Sequence, residues 1–499
     1  MLRLIREHRN FFLGITLAGL LLRLFYVVHF PAITDDSRVY ADLATNWLQH
    51  GVYGQTQSGH PEKPILPTDT RLPGYPAFLA VIFWLFGVGN FRAVMVAQIL
   101  VDLATCWLIA DLARRVASER TARVAFALAA LCPFLANYTA AVLTETLEIF
   151  CTALAFDFAT VALQRMRSGG LNVNKFWAAA GAAIAAGILF RPDGGILLAS
   201  VAVYLAIAAA RAVFDFKPNT ESPQRFPDMK RQSFQCFLIV GVIVALFALG
   251  PLAPWTIRNF LTLHHFQPLA PRYANDADEL IPRGFNRWVK SWMVDYTSVE
   301  EIYWNVPGDK IDPHKLPSRA TDGVIGANAD DIDINNPQER DSTLAVIADY
   351  NESQDVTPEL DARFEALAAS RIRAHPIRYY VVLPVLRVAD MWLRPRTELL
   401  PADPRWWEFH DDTKESIVAV GFGALNLAYV AAAFLALVYL PLRRSSGIRW
   451  AGLFVIFLVL RSVFLGTLEN PEPRYTLECY PVIIVCAAAG LARLTEKRR

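Results

Sequence analysis

The sequence predicts an all-α, polytopic membrane protein. Apolar runs of about 20 residues recur along it, and such runs are what a membrane-crossing helix requires. Its mean hydropathy is +0.29 and 54% of its residues are hydrophobic, too apolar for an ordinary soluble enzyme of 499 residues. Arginine clusters fall in alternate connections between the runs, the pattern of a chain threaded back and forth through a bilayer. The net charge of +1 gives no global basic field, and no basic patch is interleaved with aromatics, so no nucleic acid is expected as a partner. The cysteines Cys106, Cys132, Cys151, Cys236, Cys479 and Cys486 lie in or beside apolar stretches without metal-ligand spacing, and read as small buried hydrophobes.

Arg3, Arg6 and Arg9 precede the first apolar run, and no small-residue cleavage site follows it, so an uncleaved first span is expected. Spans are predicted at 11–30, 92–112, 122–141, 144–163, 176–190, 194–212, 234–255, 416–440, 449–468 and 478–494, about ten in all. The segment from Gly74 to Gly89 is shorter and bracketed by Pro73, Pro76 and glycines. Charge decides its placement: leaving it out as a span puts Arg114-Arg115 with Arg120, Arg165 with Arg167, Arg211 to Arg231, Arg443-Arg444 and Lys497-Arg498-Arg499 on one side with the N-terminus. It is therefore expected to lie in the outer interface, as is the stretch 379–393. Both termini are expected to be cytoplasmic. The predicted organisation is an N-terminal transmembrane module over 1–258 with its first outer loop at 31–91, a periplasmic segment with an interfacial helix over 259–415, and C-terminal transmembrane helices over 416–499. Within the long segment, 320–362 is acidic with little apolar periodicity and is expected to be irregular, whereas Leu360, Phe364, Leu367 and Ile372 predict a helix from Pro358 to Ala374.

Thr34 followed by Asp35, Asp36 and the apolar positions Val39, Tyr40, Leu43, Ala44, Trp47 and Leu48 describes an N-capped amphipathic helix ending near Gly51. Acidic residues in a first turn also simply complement the helix dipole. Here topology brings further polar groups to the same membrane face: Arg71 before Pro73-Gly74-Tyr75-Pro76, Glu145 and Glu148, Arg191-Pro192-Asp193, Arg258-Asn259, and Arg474-Tyr475. An arginine just outside a span commonly anchors at the interface by snorkelling. Four of them beside carboxylates also suit a phosphate-binding cavity, because the guanidinium fork meets phosphate oxygens bidentately and stays charged. The carboxylates then serve as general base or as ligands to a divalent cation. Glu145 and Glu148 share a helix face, where plain interhelical hydrogen bonding is the competing role. Arg23 and Arg461 sit inside apolar runs and are site candidates on that ground. No HExxH, P-loop, dinucleotide fingerprint or GxSxG elbow occurs, which weighs against zinc proteolysis, nucleotide-driven transport and serine hydrolysis.

The order Asp35-Asp36, Tyr40, Leu43-Ala44-Thr45-Asn46-Trp47-Leu48, Arg71-x-Pro73-Gly74-Tyr75-Pro76, Arg191-Pro192, Pro254-Trp255-Thr256-Ile257-Arg258-Asn259 and Arg474-Tyr475-x-Leu477 resembles bacterial GT-C glycosyltransferases of the protein O-mannosyltransferase and aminoarabinose-transferase group. The resemblance runs from about 11 to 490, leaving out 320–362. It implies a GT-C-type bundle in the bacterial inner membrane, a sugar donor carried on polyprenyl phosphate, and an active site at the outer leaflet. It makes Asp35 the expected general base. Asp36 stands where many relatives have Glu, and is the candidate ligand for a divalent cation, no other cofactor being implied. Arg71, Arg191, Arg258, Arg474 and Tyr475 are the expected donor-phosphate residues, with Tyr40 and Glu145 lining the pocket or acceptor site.

The residue inventory suits that chemistry independently of the resemblance. A sugar phosphate ester needs no acid at its leaving oxygen once the phosphate charge is balanced, so one base and several cations suffice. Direct attack opposite the phosphate inverts the anomeric centre. The resemblance leaves the acceptor open among a lipid, a glycan and a protein, and the sugar between a hexose and a pentose. A transporter or flippase of lipid-linked glycans would also use an arginine-lined outer cavity, but the inverted repeats and midplane-broken helices common in transporters are not apparent. A non-catalytic scaffold would leave Asp35-Asp36 without a task.

Overall fold

A computed structural model of the chain describes residues 1–57, 63–168, 171–214, 226–273, 280–317, 337–409, 413–439 and 451–496. The Arg443-Arg444 and Lys497-Arg498-Arg499 clusters and the acidic residues 320–336 lie outside these.

Eight described helices are long and apolar enough to cross a membrane: Arg9–His29, Phe91–Val116, Glu145–Met166, Val173–Phe190, Pro192–Arg211, Gln235–Leu263, Thr413–Val438 and Pro473–Leu494. The chain is a multi-pass helical membrane protein. Two of the ten expected spans take another form. Ala451–Leu465 is a helix of only 15 residues. The run 122–141 divides into Glu119–Ala130 and Pro133–Tyr138, because Pro133 has no N–H to continue the first helix and instead opens the second.

The chain forms two compact units. The first comprises Met1–Ala274, Ala428–Leu460 and Leu477–Arg499. The divided run in this unit leaves buried, non-helical backbone from Thr139 to Thr144, whose carbonyls cannot turn to water. Gln98 supplies the donors, with Nε2 at 3.2 Å from the Thr139 carbonyl and 2.7 Å from that of Ala141, while its own carbonyl accepts from the Tyr75 hydroxyl at 2.8 Å. Ala32 pairs with the same stretch as an isolated parallel bridge, its N–H on the Ala140 carbonyl at 2.9 Å and its carbonyl taking the Val142 N–H at 3.2 Å. The start of the first loop is thereby fixed beside the entry to Glu145–Arg167.

Asp35–His50 is a helix, as the sequence predicts, closed by a Thr34/Ser37 capping box and by Gly51 in the left-handed conformation. A two-stranded antiparallel hairpin follows, Gly54–Gln55 against Leu66–Pro67. Gly74–Phe86 is a helix of 13 residues, and at about 1.5 Å per residue it is too short to cross a bilayer core. It buries Tyr75, Leu79, Ile82 and Phe83 against Tyr40, Ala44 and Met95.

The second unit comprises Asn275–Leu427 and Arg461–Thr476. Its core is aromatic: Phe285, Trp288 and Trp292 from Arg283–Lys290 and the turn after it pack with Tyr350 and Phe364. Pro358–Ala374 is helical as predicted. Pro337–Ser353 is also a helix, where the sequence reading expected irregular chain. Val346, Ile347 and Tyr350 bury one narrow stripe of it, a signal diluted by the surrounding acidic residues. Asp361 caps the neighbouring helix, accepting from the Gly284 and Phe285 N–H groups at 3.0 and 2.9 Å. Buried Arg387 donates to the Met293 carbonyl at 2.8 Å, and buried Arg461 to that of Tyr475 at 3.0 Å.

Candidate functional site

In the first unit, the capping box orients the two carboxylates of Asp35–His50 differently. Asp35 points outward, its side chain 96% exposed and paired with Arg38 one turn on at 3.0 Å. Asp36 turns inward to Arg71, with Oδ1 at 2.8 Å from Nη2. The Arg71 guanidinium stands 5.8 Å above the ring of Tyr40, which meets Tyr75 edge-on at 5.0 Å. Burial pushes the Tyr40 phenol up to about 12, with Arg71 and Arg191 opposing and Asp36 and Glu145 reinforcing, so this neutral hydroxyl lies in the field of both ion clusters.

The second cluster centres on Arg191, between the helices Val173–Phe190 and Gly195–Phe214. Its guanidinium lies 3.3 Å from Glu145, 3.4 Å from Glu148 and 3.2 Å from Asp193. Glu145 and Glu148 occupy the first turn of their helix, where the amide dipoles favour negative charge. Glu478 completes the group: one carboxylate oxygen each from Glu148, Asp193 and Glu478 lie within 4.8 Å of one another. These three are the described residues that could hold a divalent cation. Asp36, the metal candidate of the sequence reading, is held by Arg71 and stands outside that group.

Arg258 is placed differently. It donates to the Thr68 carbonyl at 2.8 Å and to that of Tyr53, and its guanidinium lies 5.3 Å from the rings of both Tyr53 and Trp255. Tyr53 also donates to the Arg71 carbonyl at 2.9 Å, which ties the Arg258 environment to the Asp36–Arg71 pair.

The structure therefore gathers Asp36, Tyr40, Arg71, Glu145 and Arg191 into one neighbourhood, with Arg258 joined to it through Tyr53 and Asp35 at its rim. Arg191, expected at a donor phosphate, is enclosed by carboxylates instead. Arg474 and Tyr475 belong to the second unit, where both bind Glu472, Arg474 at 2.6 Å and Tyr475 through its hydroxyl. Glu478 escaped the sequence reading. Its signal is a lone carboxylate at the head of the apolar run 478–494.

Residues 63–219, about a third of the chain, match the family described as dolichyl-phosphate-mannose-protein mannosyltransferase. No curated protein matches the sequence at a significant level. Among solved structures, the chain is similar to the Archaeoglobus fulgidus oligosaccharyltransferase tethered to an acceptor peptide containing the NVT sequon. The TM-score is 0.50 at 12% identity, covering 97% of this chain and 50% of that one. The chain thus spans about half the length of that enzyme. ArnT from Cupriavidus metallidurans bound to undecaprenyl phosphate matches with a TM-score of 0.36 at 13% identity, covering 97% of this chain and 78% of that one. The chain is similar to GT-C glycosyltransferases, by a mannosyltransferase-family segment within it and by a fold shared over nearly its whole length.

Proposed function

We propose that the protein is a membrane glycosyltransferase that moves a sugar from a polyprenyl-phosphate donor to an acceptor on the periplasmic side of a bacterial inner membrane. The observation that carries this reading is the pairing of an inward carboxylate and an arginine, Asp36–Arg71, beside an outward carboxylate, Asp35, within reach of the Arg191 cluster. The family name attached to residues 63–219 describes a polyprenyl-phosphate sugar as donor, and the residues present suit one.

In this reading Asp35, the carboxylate open to an entering acceptor, removes the proton of the attacking hydroxyl or amine. Asp36 and Arg71 hold each other and fix the first turn of their helix. Arg258 hydrogen-bonds the carbonyls of Thr68 and Tyr53 and the amide oxygen of Asn259, and among the described residues it forms no ion pair, so its charge is available to a phosphate. The acceptor oxygen or nitrogen forms its bond to the anomeric carbon as the carbon–phosphate oxygen bond breaks, and the electron pair leaves with the polyprenyl phosphate. A single displacement inverts the anomeric centre. Arg191 acts through Glu145, Glu148 and Asp193, keeping their helix ends together beside Tyr40. Glu148, Asp193 and Glu478 are the place for a divalent cation if turnover uses one.

The experiment is transfer by purified chain from a polyprenyl-phosphate sugar, wild type against Asp35→Asn. The amide keeps the size and loses the base, so turnover is expected to fall at least about a hundredfold with the thermal midpoint unchanged. Full activity in Asp35→Asn would exclude it as the base. Inactivity of the wild type with every polyprenyl-phosphate sugar, together with movement of lipid-linked glycan across vesicles, would favour a flippase.

A further inference from the structure

The helix Glu119–Ala130 has a face that the proposed reaction does not use. Thr121, Ala122, Ala125, Phe126, Ala129 and Ala130 are buried in the first unit, while Arg120, Arg123, Val124, Ala127, Leu128 and Leu131 form the opposite stripe. That stripe lines a cavity of about 640 Å³ walled on its other sides by Phe11 and Tyr429. The Tyr429 hydroxyl donates to the Leu128 carbonyl at 2.8 Å, which fixes the ring as a wall. Polarity changes along the cavity: both arginines sit at its Ser118 end, and everything from Val124 to Leu131 is apolar. Among the described residues neither Arg120 nor Arg123 enters an ion pair, and Arg123 Nε is buried with no hydrogen-bond acceptor. A buried donor on a charged group without an acceptor is costly, so the protein alone leaves this end of the cavity incomplete.

We propose that this cavity binds one anionic glycerophospholipid, the phosphate at Arg120 and Arg123 and an acyl chain along Val124, Ala127, Leu128 and Leu131. Charge complementarity selects the head, since an arginine fork meets phosphate oxygens directly. The apolar wall, eight residues from Val124 to Leu131 with a rise of about 10 Å, selects a hydrocarbon tail over a free anion. The arginine end of the helix follows Arg114 and Arg115, on the side that the arginine distribution assigns to the cytoplasm, where anionic lipids attract basic side chains. The inference is independent of the glycosyltransferase reading.

The test is lipid retention by the purified full chain in native mass spectrometry, titrated with phosphatidylglycerol and, separately, with phosphatidylcholine. Wild type is expected to retain one phosphatidylglycerol in preference to phosphatidylcholine, and the double variant Arg120→Ala/Arg123→Ala to retain it at least tenfold more weakly. Ala127→Trp fills the groove without changing charge and is expected to lose the lipid as well, which decides the matter if the double variant folds poorly. Equal retention of the two lipids by wild type, or undiminished phosphatidylglycerol in Ala127→Trp, overturns the proposal. Displacement of phosphatidylglycerol by an equimolar polyprenyl phosphate overturns the choice of lipid.

Discussion

Arg23 lies within the first apolar run, yet its charge serves the fold. Its Nε meets Asp102 at 2.6 Å and its Nη1 meets the carbonyls of Gly19 and Ala130 at 2.8 and 2.7 Å, so it caps the helix that ends at Ala130 where the chain breaks before Pro133. Removing one partner would strand the other charge in the interior. Arg23→Ala is therefore expected to cost about 3 kcal/mol or more, read as a lowered thermal midpoint in detergent, with no preferential loss of transfer per folded molecule. The carboxylates around Arg191 predict the opposite trend. Glu145, Glu148, Asp193 and Glu478 outnumber the guanidinium they surround, and burial makes their mutual repulsion costly. Glu148→Gln should raise stability by about 1 kcal/mol while lowering turnover, the pattern of a site held against its own stability. A lower midpoint in Glu148→Gln would mean that the ion pair with Arg191 outweighs that repulsion.

Single elements set where these residues stand. The helix Asp35–His50 begins at Thr34, whose Oγ1 accepts from the Ser37 N–H at 3.3 Å. Thr34→Ala should cost about 1 kcal/mol and loosen the turn that points Asp35 and Asp36 in different directions. Transfer should then fall by more than the midpoint suggests. Gly74 is a second control point. A Cβ built there would lie 2.6 Å from the Leu189 carbonyl oxygen, so the start of Gly74–Phe86 packs against Val173–Phe190 only because the residue has no side chain. Gly74→Ala is expected to separate the two helices at a cost of about 1–3 kcal/mol and to move Tyr75 away from Gln98. Restored stability in Gly74→Ser would argue against a close backbone approach.

Along the whole sequence, the arginine clusters of Arg114-Arg115 and Arg165 fall at one side of the membrane if the termini are cytoplasmic, and the segments 31–91 and 259–415 at the other. A green fluorescent protein fused after Arg499 should fluoresce, and alkaline phosphatase inserted after Ser353, at an exposed helix end, should be active. The reverse pair of results would invert the topology and remove the proposed periplasmic site.

The sequence determined the material of this protein by itself. Apolar runs, alternating arginine clusters and a Thr34-to-Gly51 helix signature are local properties, because span length and capping depend on neighbours along the chain. The amphipathic pattern from Leu360 to Ile372 was legible for the same reason. Tertiary structure decided which charges neutralise one another. Arg23, Asp102 and Ala130 are distant in sequence, as are Asp36 and Arg71, or Glu148, Asp193 and Glu478, and no periodicity announces such meetings. Whether an arginine anchors at an interface, caps a broken helix or stays available to a phosphate depends on the partner folding brings to it. In a low-dielectric interior that partner sets the cost and the use of the charge.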